Sequence, residues 1–172
     1  MDHLWSPWRY RYVQKASPTD SCIFCDKAAA HEDEKNLIVH RAQHNFIILN
    51  LYPYTTGHLM IAPYEHVATV EEASEDSLAE MMLLARTAQK HLREIYRPEG
   101  FNLGMNIGEC AGAGVAGHIH MHVLPRWKGD ANFMSVIGET RVMPEDLTET
   151  YRKLQRAFLN SAPPSHSVHD RQ

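Results

Sequence analysis

"GHIHMHVLP", residues 117–125, places His118, His120 and His122 at every second position. In a strand, successive side chains alternate between faces, so positions i, i+2 and i+4 share one side. Read as a strand over 118–124, the segment carries a row of three imidazoles, with Ile119, Met121 and Val123 turned into a core. The β-branched Ile119 and Val123 suit a strand, and Pro125 is expected to end it. A helix would scatter the three rings around its axis and mix them with apolar side chains.

The neighbours of this segment supply the rest of a sheet. "FNLGMNIG" (101–108) alternates, with Phe101, Leu103, Met105 and Ile107 on one face and Asn102, Gly104, Asn106 and Gly108 on the other. It pairs most simply with 118–124. "NLIVHR" (36–41) and "NFIILNL" (45–51) read as strands joined at Gln43 and His44, and "HLMIAP" (58–63) as a third, closed by Pro63. Residues 74–96 place Leu78, Met81, Met82, Ala85, Ala88, Leu92, Ile95 and Tyr96 at helical spacing. That stripe reads as core. Ser77 and Glu80 have the spacing of a capping box, and Pro98 stops the helix. A second helix is expected from Pro144, with Leu147, Tyr151, Leu154 and Phe158 on one side. The fold class is therefore α+β: an antiparallel sheet of about five strands with one long and one C-terminal helix. Three regions follow: an aromatic arm over 1–20 (Trp5, Trp8, Tyr10, Tyr12), a domain over 21–159, and a Pro/Ser-rich tail over 160–172 expected to be disordered.

At 172 residues the chain reads as a single domain with a sizeable core. A formal charge of −4 gives no basic footprint for a nucleic-acid backbone. No apolar run approaches the ~20 residues of a membrane span, and "MDHLWSPWRYRYV" lacks the apolar centre of a secretory signal. The cysteines are Cys22, Cys25 and Cys110. An odd count with a C-x-x-C argues for reduced thiols and a cytoplasmic protein rather than a disulfide framework.

"ECAGAGVAG" (109–117) lies between the last two strands. Gly and Ala let backbone N–H groups approach an anion closely, and Asn102 and Asn106 add neutral donors on the adjacent face. Neutral imidazole beside such a cradle is suited to attack on phosphorus near pH 7, and a second histidine can assist the leaving oxygen. That chemistry requires no divalent ion. A metallohydrolase using all three histidines fits less well, since a β-lactamase-type pattern would need Asp at Met121 and a cupin an earlier acid than Glu139. A nucleotide-binding regulator with little catalysis stays open.

Cys22 and Cys25 have the spacing of half a tetrahedral zinc site, with free thiols or a redox pair as the alternatives. His58, next to Gly57, reads as a partner orienting His118 or His120, or as a plain packed histidine. His3, His31, His40, His44 and His91 read as surface or edge residues, and Cys110 as a small loop residue. Trp127 reads as core, interface or part of a substrate wall, and Asp130 and Asn132 as turn residues or as groups that order the loop over the site.

The string His118-Ile-His120-Met-His122-Val-Leu124 resembles the signature of the histidine triad (HIT) superfamily. "NLYPYTTGHLMIAPYEH" (50–66) resembles the family's earlier strand-turn-strand block. "GDANFMSVIGETRVMPEDL" and "LWSPWR" resemble the bacterial branch of diadenosine tetraphosphate (Ap4A) phosphorylases and hydrolases. The likeness covers about residues 4–159. It implies a nucleotidyl hydrolase or transferase acting on dinucleoside polyphosphates, or a nucleoside phosphoramidate hydrolase, through a nucleotidyl-histidine. By position, His120 would be the nucleophile and His122 would hydrogen-bond the phosphate or bridging oxygen, with His118 completing the triad. Asn50 would meet the ribose, and Ile23, Phe24, Ile48 and Leu51 would line the base pocket. Asn106 and the backbone at Gly114 and Val115 would meet phosphate. Many relatives carry Gln or Ser where this chain has Gly114, so backbone N–H groups or water must serve there. The resemblance also completes a structural zinc site from Cys22, Cys25, His66 and His118. Any magnesium would accompany the polyphosphate. The implied assembly is a two-fold homodimer joining its sheets, with a tetramer through the aromatic arm as a further option.

Overall fold

The computed structural model describes residues 21–130 and 145–161. The expectations for the aromatic arm, Pro144, Asn132 and the tail after 161 lie outside the described residues. The element order is α1 (Ile23–Ala30), α2 (Asp33–Asn36), β1 (Ile38–Arg41), β2 (Asn45–Leu49), β3 (Leu59–Pro63), α3 (Glu75–Tyr96), β4 (Gly100–Met105), a 3-10 turn (Glu109–Ala111), β5 (Met121–Arg126) and α4 (Leu147–Asn160). The strands form one antiparallel sheet in the order β1-β2-β3-β5-β4. Among the described residues, no helix is long and apolar enough to cross a membrane.

The sheet separates two apolar clusters, as period-2 alternation requires. Ile47, Leu49, Leu59, Ile61, Met121 and Val123 face α3 and α4 and pack with Met81, Leu92, Tyr151, Leu154 and Phe158. Phe46, Ile48, Met60 and Ala62 face the other way, toward Phe24 of α1. Each large side chain buried in the first cluster contributes about 1.5–3 kcal/mol, so the helix-covered face is the main source of stability. The second, smaller cluster is the floor on which the histidines sit.

Several boundaries differ from the sequence reading, each for a physical reason. The triad strand starts at Met121, so only His122 lies in β5. Pairing between β3 and β5 runs as far as Ile61 and Met121; continued, the register would oppose Ala62 to His120 and then Pro63 to Ile119. Proline has no N–H to continue a ladder. The Ile119 N–H instead donates to the Val67 carbonyl at 2.8 Å. At the other end Pro125 sits inside β5, opposite Phe101, rather than ending it. Pairing with β3 has already ceased at Leu59–Val123, so Pro125 has only one neighbouring strand there. β2 ends at Leu49 and β4 at Met105, leaving Asn50, Leu51 and Asn106 in loops.

A register shift between Ile38 and His40 sends Val39 and His40 toward the helices. His40, on the edge strand as one of its two readings had it, is half-buried and stacks on Phe158, with ring centroids 5.1 Å apart. His91 was expected outside, yet it is buried against Phe158 and hydrogen-bonded through Nε2 to the Ser161 hydroxyl at 3.1 Å. The methionine stripe is only half core: Met81 is buried and Met82 exposed. The cap of α3 is Ser74, whose hydroxyl accepts the Ser77 N–H. Glu80 has a different task. Its carboxylate accepts the N–H groups of Gln43, His44 and Asn45 at 2.8–3.0 Å and the Asn45 amide at 2.9 Å. It thus pins the β1–β2 turn to α3. Burial alone would raise its carboxyl, but these hydrogen bonds outweigh it and hold Glu80 below the usual range. α4 begins at Leu147 behind an Asp146 cap that accepts the Glu149 N–H.

Candidate functional site

Three histidines converge on one face of the sheet, and hydrogen bonds fix where each carries its proton. His118 is buried, and its Nε2 donates to the Pro63 carbonyl at 2.9 Å. Its Nδ1 lone pair therefore faces the Cys22 thiol at 3.3 Å and the Cys25 thiol at 3.6 Å. His120 is buried too, and its Nδ1 donates to the His118 carbonyl at 2.9 Å. In neutral His120 that leaves the lone pair on Nε2. His122 lies on β5 opposite Met60 of β3 and Gly104 of β4. Its ring centroid is 5.0 Å from that of His120, edge to face.

The sequence offered His118 or His120 as the partner of His58. The structure gives it His122: His58 Nε2 and His122 Nδ1 are 2.9 Å apart. The Tyr54 N–H donates to His58 Nδ1 at 3.1 Å, so the His58 proton sits on Nε2 and is donated to His122. Neutral His122 then carries its own hydrogen on Nε2. The row thus presents one ring nitrogen with a lone pair, on His120, beside one N–H, on His122. Burial lowers the pKa of all three: against the Pro63 carbonyl bond at His118, against the His118 carbonyl bond at His120, and to about 4 at His122, where His120 adds to it. Neutral imidazoles near pH 7 are what nucleophilic attack and proton donation from a neutral ring both need.

Phe24 covers one end of the row, its ring 5.2 Å from His118 and 4.9 Å from His120. Tyr54 covers the other, 4.8 Å from His58 and 6.2 Å from His122. Neither Tyr54 nor the Pro63 carbonyl was legible as a site group: each gives the site a backbone atom that any residue type supplies, and the Tyr54 ring meets the row only through the fold. Of the expected base-pocket residues, Phe24 and Ile48 are buried in the second cluster, whereas Ile23 and Leu51 are exposed. Asn50 lies in the turn before His58; its Oδ1 accepts the Tyr52 N–H at 2.9 Å and its Nδ2 is 3.4 Å from His58 Nδ1.

The glycine-rich loop curls on itself. Gly108 and Gly112 adopt φ of +81° and +88°, which favour glycine. The Gly112 N–H returns to the Glu109 carbonyl, the Ala113 N–H to Gly108, and the Asn106 amide donates to the Gly112 carbonyl at 3.4 Å. Gly114 is exposed and Val115 rests on the second cluster. Asp130 serves as the turn residue expected, accepting the Trp127 N–H and both Nε and Nη2 of Arg126. Trp127 itself donates to the Tyr96 carbonyl at 3.3 Å.

A second cluster adjoins the row. Cys22 caps α1 and Cys25 lies one turn later, which brings both thiols to one side. His66 Nδ1 is 3.3 Å from the Cys25 sulfur. The four ligand atoms of Cys22, Cys25, His66 and His118 all lie within 4.8 Å of one another. A tetrahedral zinc with Zn–S of about 2.3 Å and Zn–N of about 2.0–2.1 Å spaces its ligands by roughly 3.4–3.8 Å. The sulfur–nitrogen distances fit that spacing, and the lone pair of His118 already points inward. Without an ion, burial and the Cys22 thiol push the Cys25 thiol up; a bound cation is what would ionise it.

Residues 31–129 match the model of the HIT domain family. The chain is 38% identical over 161 residues to a protein of Mycobacterium tuberculosis named AP-4-A phosphorylase, covering 90% of this chain and 83% of that protein. Its fold is similar to a zinc-bound histidine triad family protein from Mycobacterium smegmatis, with a TM-score of 0.66, 25% identity, and coverage of 81% of this chain and 94% of that one. It is similar also to a hypothetical histidine triad nucleotide-binding protein from Sulfolobus tokodaii, with a TM-score of 0.65, 27% identity, and coverage of 81% and 93%.

Proposed function

The chain belongs to the HIT domain family, and from that premise we propose that it is a nucleotidyl hydrolase or phosphorylase acting on dinucleoside polyphosphates. The observation that carries the reading is the pairing of a lone pair on His120 Nε2 with an N–H on His122 Nε2. The likeness to the mycobacterial AP-4-A phosphorylase supports the substrate class.

His120 Nε2 attacks the α-phosphorus. A nitrogen–phosphorus bond forms and the bond from phosphorus to the bridging oxygen breaks. The electron pair leaves with that oxygen, which takes a hydrogen bond or proton from His122 Nε2. Positive charge developing on the His120 ring is stabilised through Nδ1–H on the His118 carbonyl. Backbone N–H groups of residues 114–117 and the second amide hydrogen of Asn106 are the proposed donors for the non-bridging oxygens. Water or inorganic phosphate then attacks the nucleotidyl-histidine, and His120 leaves as a neutral ring. Ile23, Phe24, Ile48 and Leu51 are the proposed base contacts and Asn50 the ribose contact.

The Cys22, Cys25, His66 and His118 cluster is proposed to hold zinc, which would fasten α1 to the histidine row and hold His118 rigid. Two chains are proposed to join through β4, whose outer edge has no strand beside it among the described residues and whose Leu103 is exposed. The cysteine usage supports a reducing, cytoplasmic setting.

The test is rapid quenching of the protein with labelled Ap4A, with and without phosphate. A labelled adduct mapping to His120, with ADP plus ATP in phosphate or AMP plus ATP in water, is the expected result. Turnover by His120→Asn at the wild-type rate, or bound nucleotide with neither adduct nor turnover, would overturn it.

A further inference from the structure

We propose that Asn50 is a positioning residue, which fixes the protonation side of His58 and, through it, that of His122. The Tyr52 N–H can only donate, so the Asn50 atom it meets at 2.9 Å is the oxygen. That orientation turns the Asn50 amide nitrogen toward His58 Nδ1 at 3.4 Å. An amide nitrogen also only donates. His58 Nδ1 thus meets two donors, the Asn50 amide and the Tyr54 N–H. A proton on Nδ1 would oppose both. The His58 hydrogen is confined to Nε2, where it is given to His122 Nδ1.

The chain from Asn50 to His122 therefore runs in one direction, and its far end is the His122 Nε2–H. His58 is fully buried and on β3's approach, so its ring has little freedom to turn over. The second amide hydrogen of Asn50 remains for a ribose oxygen, so the two roles are compatible. The chemistry of position 50 is what matters: an amide enforces this direction, whereas a carboxylate, which accepts only, would draw a proton onto His58 Nδ1. His58 Nε2 would then face His122 Nδ1 without a hydrogen, and His122 would have to move its own proton inward.

The test is Asn50→Asp, read in two ways. The first is nitrogen-15 NMR of the histidine rings at neutral pH. Wild type is expected to carry hydrogen on Nε2 of both His58 and His122, and the variant to carry one on His58 Nδ1. The second compares a nucleoside 5′-phosphoramidate, whose amine must leave protonated, with the corresponding phosphorofluoridate, whose fluoride leaves without a proton. The variant is expected to lose about 10- to 100-fold on the first relative to the second. Hydrogen on His58 Nδ1 in wild type, or unchanged His58 protonation in the variant, would overturn the proposal. So would equal losses on both substrates, which is the result for a ribose-binding role alone. The kinetic arm rests on the nucleotidyl-transfer reading; the NMR arm does not. An inert enzyme with the expected tautomers would sink that reading and leave this one standing.

Discussion

Gly57→Ala should be the most damaging single methyl addition among the glycines described. Two costs arise at the same atom. Gly57 has φ of +77°, where an L-residue pays about 1–2 kcal/mol. A Cβ built there would lie 2.8 Å from Cδ2 of Leu92, and Leu92 is fully buried in the main cluster. Overpacking of that kind costs about 1–3 kcal/mol. Loss of unfolded-state freedom returns about 0.4–1 kcal/mol. The net expectation is about 1–5 kcal/mol, or a fall of roughly 2–20 °C in Tm for a chain of this size. The next residue is His58, so relief of the clash by backbone movement should also disturb the hydrogen bond to His122 and lower turnover. Gly100→Ala and Gly104→Ala are the controls: neither residue has a positive φ, and neither Cβ meets a heavy atom within 4 Å. They should stay within about 0.5 kcal/mol of wild type. Urea denaturation of the three variants, together with a Gly57→Ala/Leu92→Ala cycle, measures the terms. The cycle should show a favourable coupling of about 1 kcal/mol or more, since removing Leu92 Cδ2 removes the clash. A Gly57→Ala protein as stable as its controls would refute the reasoning.

Glu80→Ala should cost about 2–3 kcal/mol, because three backbone N–H groups and the Asn45 amide lose a charged acceptor and water replaces it only in part; Glu80→Gln should cost about half that by thermal denaturation, and a loss below 0.5 kcal/mol would contradict the clamp. His122 titrates near 4 when folded and at its usual ~6.5 when unfolded. The unfolded chain therefore binds the proton first, so this contribution is complete above about pH 6.5 and is lost as pH falls toward 4, by at most about 3 kcal/mol; a flat urea midpoint from pH 7 to 4.5 would count against it. Cys25→Ser should abolish stoichiometric zinc in elemental analysis and remove the fall in Tm that a chelator produces in wild type. Wild-type protein purified with zinc available but carrying none would rule out the metal reading.

Much of this fold could be read from residue order, because alternation and helical spacing are local. Phe46 through Leu49 and Leu59 through Ala62 sort onto two faces as their positions require, and the 22-residue α3 lies where its periodicity placed it. The grouping of Cys22, Cys25, His66 and His118 came from family resemblance, since spacing alone gave only the cysteine pair. What stayed hidden depends on contacts between distant segments. Ser77 and Glu80 had the spacing of a local cap, but Glu80 is taken by a turn some 35 residues away. His91 looked external until the packing of Phe158 enclosed it, and the contact of edge-strand His40 with Phe158 depends on the register shift in β1. His58 was read as a partner of His118 or His120, and only the pairing of β3 with β5 brings it to His122 instead.

The interruption at Pro63 has a bearing on any effort to improve this molecule. Within an unbroken sheet, main-chain oxygens along the triad segment would be claimed by neighbouring strands. Because β5 begins only at Met121, the oxygen of His118 lies outside the ladder and holds the ring of His120 from behind. An engineer who regularised that corner for the sake of thermal robustness would be competing for the very atom that aims the reactive nitrogen.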